Sequence, residues 1–140
     1  MRDMLNHVHP ITAIQPTTVA DNTPWVSAII DTSGYNSLTF LLLIGTLADA
    51  DATFAVLVED GDADDLSDAA AVPDSELIGT EVKAAFSFAD DGKTRKIGYA
   101  GFKQYVRLTV TPSGNSGNAT MGALALLGHP RTMPTANPPT

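Results

Sequence analysis

The chain has 140 residues and carries 16 acidic against 8 basic side chains, for a formal net charge of −8. An acidic balance argues against nucleic acid and anionic membranes, both of which need clustered Lys and Arg. The absence of cysteine removes disulfides, thiolate catalysis and Cys-based zinc sites together.

The start of the chain, Met1-Arg2-Asp3-Met4-Leu5, lacks an apolar h-region and a small-residue cleavage site, so synthesis in a cytoplasm is expected. Residues 1–10 are polar and irregular and are expected to form an arm. A first strand is expected within Ile11 to Val19. Trp25 to Ile30 follows Pro24 and ends at Asp31-Thr32-Ser33-Gly34, which predicts a strand running into a turn. Leu38 to Ile44 is apolar almost throughout, as in a strand buried on both faces. It is far too short for a membrane helix, which needs roughly 20 apolar residues.

Thr53 to Glu59 alternates around Phe54, Val56 and Val58 and then meets Asp60-Gly61. Asp65 to Val72 is the one stretch with helical character, limited by Pro73. Glu76 to Val82 suggests a strand interrupted at Gly79, and Phe86 with Phe88 suggests a short strand ending at Asp90-Asp91-Gly92. Thr94 to Tyr99 follows. Tyr105 to Thr111 is the clearest strand, with Val106, Leu108 and Val110 expected inward and Arg107, Thr109 and Thr111 outward. Pro112 to Asn118 is a loop, and the last strand spans about Ala119 to Leu127.

About eight strands at this spacing predict an all-β antiparallel sandwich of the jelly-roll type, with an immunoglobulin-like sandwich as the alternative. The domain is expected over 11–130. Residues 130–140 hold four prolines and cannot enter a sheet interior, because proline lacks the ladder donor, so 131–140 is set apart as a tail. They are expected to be disordered or laid on a neighbour.

The chemistry-bearing clusters are few. Asp60, Asp62 and Asp64 copy the first three ligand positions of an EF-hand loop. Asp65 then stands where glycine is required, and Ala71 where the bidentate Glu belongs, so the run is read as a solvated acidic loop. His7 and His9 lack a third ligand nearby. Ser113-Gly114-Asn115-Ser116-Gly117 lacks the spacing of a nucleophile elbow. Trp25, Phe40, Phe54, Phe86, Phe88 and Phe102 are assigned to core packing. Lys93, Arg95 and Lys96 form a small basic cluster suited to an acidic partner. No catalytic constellation emerges, and neither an enzyme nor a cofactor is expected.

An ordered set of segments runs from Val19 to about Pro130. It includes Asp21-Asn22-Thr23-Pro24, Ser27-Ala28-Ile29-Ile30-Asp31-Thr32, Gly34-Tyr35 and Gly45 to Thr53. Val58-Glu59-Asp60-Gly61, Arg95 to Tyr99, Tyr105 to Thr109 and Leu127-Gly128-His129-Pro130 complete it. With the chain length, this set resembles the jelly-roll capsid cement (decoration) proteins of tailed bacteriophages with HK97-type heads. The resemblance implies a structural virion protein on the outer capsid surface, made in the host bacterial cytoplasm. Its implied partners are the phage major capsid protein and further copies of itself, as a dimer in preference to a trimer. It transfers no catalytic residues. The alternatives are a tail or head–tail connector component, and a ligand- or carbohydrate-binding β-sandwich module.

Which residues touch a shell does not follow from the resemblance. Charge nominates Asp60, Asp62, Asp64 and Asp65 on one side, and Lys93, Arg95 and Lys96 on the other.

Overall fold

The computed structural model describes residues 1–140 as two antiparallel sheets packed face to face. The strands are β1 (Val8–Val19), β2 (Trp25–Val26), β3 (Ile30–Asp31), β4 (Tyr35–Leu47), β5 (Thr53–Gly61), β6 (Ala70–Ala71), β7 (Leu77–Ile78), β8 (Phe86–Ser87), β9 (Thr94–Tyr99), β10 (Tyr105–Ser113) and β11 (Ala119–Pro130). The one α-helical turn is α1 (Glu81–Ala84). The first sheet has the order β1-β11-β4-β9-β7, and the second β2-β10-β5-β6, with β3 also on β10 and β8 on β5. From β1 onward the chain passes repeatedly from one sheet to the other, so that its last long strand lies beside its first. This is the jelly-roll winding.

The core follows from strand alternation. Val106, Leu108 and Val110 on β10 are fully buried, as the sequence predicts, and they meet Phe40, Leu42 and Ile44 of β4 across the interior. Phe54, Val56 and Val58 continue the inner face on β5. The Phe54 ring stacks on Phe86 at 4.7 Å and lies 6.0 Å from Trp25. Burying each such side chain stabilises the fold by roughly 1.5–3 kcal/mol, so Phe54→Ala removes about 3–5 kcal/mol once the cavity is counted.

Several elements differ from expectation, each for an identifiable reason. β1 begins at Val8, because Val8 pairs with Gly128 and His9 with Leu127; part of the expected 1–10 arm therefore belongs to the sheet. The Pro-rich tail lies on its own chain. Thr135 is buried, its Oγ1 donates to the carbonyl oxygens of Val8 (2.6 Å) and Leu5 (3.3 Å), and its N–H donates to that of Asn6 (3.1 Å).

No helix forms over Asp65 to Val72. The segment turns under Asp65 and Asp68 and ends in β6. The helical turn comes later, where the Thr80 hydroxyl caps the N–H of Lys83 at 3.1 Å, so the strand expected over Glu76 to Val82 shrinks to β7. β8 stops at Ser87 because Asp90 folds back to accept the Ser87 N–H at 3.0 Å, which opens a 3-10 turn and turns Phe88 outward. Phe88 and Phe102 are thus exposed rather than core. The β4 run, expected to be buried on both faces, is covered on one only: Leu38, Phe40, Leu42 and Ile44 face inward, whereas Leu43 is 62% exposed.

Candidate interaction face and its charged surroundings

The open side of β4 belongs to a groove of about 1110 Å³ over the outer face of the first sheet. Its floor follows from the register. Leu124 of β11 lies opposite Leu41 of β4, which lies opposite Lys96 of β9, so these three share a cross-strand row on the outer face. In the parallel row, Thr39 lies opposite Gly98, and Gly98 opposite Ile78 of β7. Gly98 is required there: a Cβ would stand 3.0 Å from the Ile78 Cβ. Gly122, opposite Leu43, leaves similar room for Pro16, whose Cγ would lie 3.1 Å from an added Cβ.

Leu43, Leu124 and Ile78 are 62%, 44% and 67% exposed; Leu43 and Leu124 lie diagonally across the β4–β11 pair, and Ile78 stands apart on the edge strand β7. The lining includes Lys83, Arg95 and Lys96 and contains no carboxylate and no Phe, Tyr or Trp. In a chain with twice as many acids as bases, this face is apolar and carries positive charge.

The seven charged residues nominated by the sequence are not one site. Asp60 is not solvated. It is 7% exposed and accepts a hydrogen bond from the Tyr99 hydroxyl at 2.7 Å. Asp62 pairs with Lys103 and is open to solvent. Asp65 accepts the Ser67 N–H at 2.9 Å. Asp64 is exposed and makes neither hydrogen bond nor ion pair. The neighbouring Asp68 accepts the N–H groups of Asp62 and Ala63 at 2.8 and 3.2 Å, and these bonds hold its carboxyl below the usual range. The acidic loop is therefore organised by its own backbone, and no three His, Asp or Glu side chains are grouped to hold a metal ion.

On the basic side, Arg95 pairs with Asp90 at 2.5 Å and donates from Nε to the Ala85 carbonyl at 3.2 Å. Lys93 reaches the same Asp90 oxygen at 3.4 Å. The Ser87 N–H above all, and then Arg95, keeps the Asp90 carboxyl below its ordinary value. Lys96 has no such partner and stands on the groove floor beside Leu41. The structure thus divides the expected basic cluster: Lys93 and Arg95 close the turn, and Lys96 faces outward.

Sequence reasoning missed the groove because a run such as Leu38 to Ile44 has the same composition whether its second face is covered or bare. It also missed Phe102, which is 92% exposed between β9 and β10. The available signal was its position after Gly101, outside any alternating run.

A scan against protein-family models finds no match, and a search of curated proteins finds none either. Among solved structures the chain is similar to the infectious bursal disease virus Gx strain, with TM-score 0.46 and 14% identity over 91% of this chain and 34% of that one. It is also similar to the capsid of Ralstonia phage GP4, with TM-score 0.45 and 11% identity over 89% of this chain and 83% of that one. A third likeness is to the xylohexaose-bound CBM22-1–GH10 modules of Clostridium thermocellum xylanase 10B, with TM-score 0.45 and 11% identity over 95% and 28%. The chain spans about a third of the first of these. Likeness at this level transfers neither residue roles nor partners.

Proposed function

We propose that this chain is a capsid cement, or decoration, protein. It binds the outer surface of an assembled tailed-phage head and clamps neighbouring major capsid protein subunits, and no catalytic step is part of its role. The observation that carries this reading is the character of its concave face, which is broad, open and apolar and lacks aromatic rings and carboxylates. Sugars are gripped by exposed aromatic platforms and reactive substrates by converging polar groups, whereas a broad aliphatic face with a few charges suits contact with protein. The ordered segments that resemble the cement proteins support the same class.

Each copy would contribute a modest contact, and repetition over a shell adds these up. The test is a map of the purified particle together with the copy number of this chain. Hundreds of copies on the outer surface are expected. A copy number that is a small multiple of six, confined to one vertex, would place the chain in a connector instead.

A further inference from the structure

The groove and the loop between β9 and β10 are complementary in the two properties that govern docking. The groove offers Leu41, Leu43, Leu124 and Ile78, with Lys96 on its floor, Lys83 in its lining and no carboxylate. The loop offers Phe102, 92% exposed, as a lone aromatic projection. Its neighbour Lys103 is paired with Asp62, and this ties Phe102 to the loop that carries Asp62, Asp64 and Asp68. One surface is an aliphatic concavity with positive charge, and the other an aromatic knob set among carboxylates.

The groove does not pair with itself. Two copies placed groove to groove would bring two positively charged linings together, with no acid on either face to offset them. Its occupant must be apolar and acidic, and this chain carries such a surface. We propose that the groove of one copy receives the Phe102 loop of a second copy. The ring lies over Leu41, Leu43 and Leu124, and the carboxylates of the acidic loop face Lys96 and Lys83. Buried aromatic anchors of this kind dominate interface energetics, while the charges set register and encounter rate. A reciprocal exchange closes a dimer, and a one-way exchange closes a ring or extends a chain. The contact is a property of the isolated protein and does not depend on any capsid.

Analytical ultracentrifugation of the isolated full chain tests this. Wild type should self-associate with concentration, and less so at high salt. Phe102→Ala and Leu43→Asp, both at exposed positions, should each weaken association by about tenfold or more while keeping the wild-type circular dichroism. Leu124→Asp serves in place of Leu43→Asp if the latter does not fold. Mixing the two variants should restore a one-to-one species, because one supplies an intact groove and the other an intact knob. A wild type that stays monomeric up to about 0.5 mM overturns the proposal. So does a Phe102→Ala variant that associates like wild type, or a mixture of folded variants that remains monomeric.

Discussion

Tyr99 and Asp60 tie the two sheets together through one buried hydrogen bond. The phenol lies on β9 in the first sheet and the carboxylate on β5 in the second, 2.7 Å apart. Burial foremost, and then this bond to Asp60, pushes the Tyr99 hydroxyl well above its ordinary range. The phenol also accepts the Lys103 N–H at 3.0 Å, so one side chain fixes both the sheet-to-sheet contact and the start of the loop behind Phe102.

Tyr99→Phe should therefore cost about 1–3 kcal/mol, because it leaves the buried Asp60 carboxylate without its hydrogen-bond donor. Urea unfolding checks this, and a loss under about 0.5 kcal/mol would mean that water replaces the phenol. Asp60→Lys should be worse than any reversal in the exposed part of the loop, since it buries an unpaired ammonium.

Removing residues 131–140 should destabilise the domain by about 1–2 kcal/mol, since Thr135 satisfies carbonyls of the segment leading into β1. Thr135→Val should reproduce part of that loss. A truncated chain with an unchanged melting temperature would show that water replaces these bonds without penalty.

Acid should unfold the protein through its organised carboxylates. The backbone N–H groups of Asp51 and Ser116 hold the Asp49 carboxyl below its ordinary value, and Asp68 and Asp90 are held down in the same way. A carboxyl whose pKa is depressed in the folded state contributes stability that is complete above its unfolded value near 3.8 and is lost as pH falls through the folded one. The melting temperature should therefore be level near pH 6 and fall steeply below about pH 4. Asp49→Asn should flatten part of that fall. An acid limb that is the same in this variant would remove Asp49 from the account.

Binding to heads should weaken with salt, because a chain of net charge −8 meets any shell through a concentrated field. The informative reversal is Asp64→Lys, since Asp60, Asp62 and Asp65 are already engaged within the fold. Occupancy of heads should drop for this variant if the acidic loop meets a basic patch. Sedimentation of the same variant without heads reports separately on contact between copies. Decoration unchanged by both salt and the reversal would point to an apolar or backbone-paired shell contact.

Much of the sandwich is legible in the sequence because strand period and burial coincide. On β10, Val106, Leu108 and Val110 alternate strictly with Arg107 and Thr109, and only one pairing register keeps the three inside. The same parity on β5, carried past Phe54, Val56 and Val58, places Asp60 inward, and β5 does extend to Gly61. Composition alone assigned that residue to solvent, whereas the period contained the answer. What the period does not contain is the state of the second face of β4, where Leu41 and Leu43 look like core residues in any one-dimensional pattern. Nor does it reveal Thr135, whose partners lie more than a hundred residues away in the chain.

The pairing of β1 with β11 also fixes how the molecule answers to force. Val8 lies opposite Gly128, so the two strands nearest the chain ends start and finish at the same end of the sheet. Tension applied through both termini first breaks the Thr135 bonds to Leu5, Asn6 and Val8, and the β1–β11 ladder then opens like a zip, one pair at a time. Tension between one terminus and a contact on the outer face of the first sheet runs along β1 instead and loads its bonds in parallel. Forced rupture is governed by the barrier to unfolding, so the same domain is weak to a pull at its ends and strong to a pull across its sheet. A protein held on a pressurised surface by its sheet face rather than by its tails would bear load in the resistant direction.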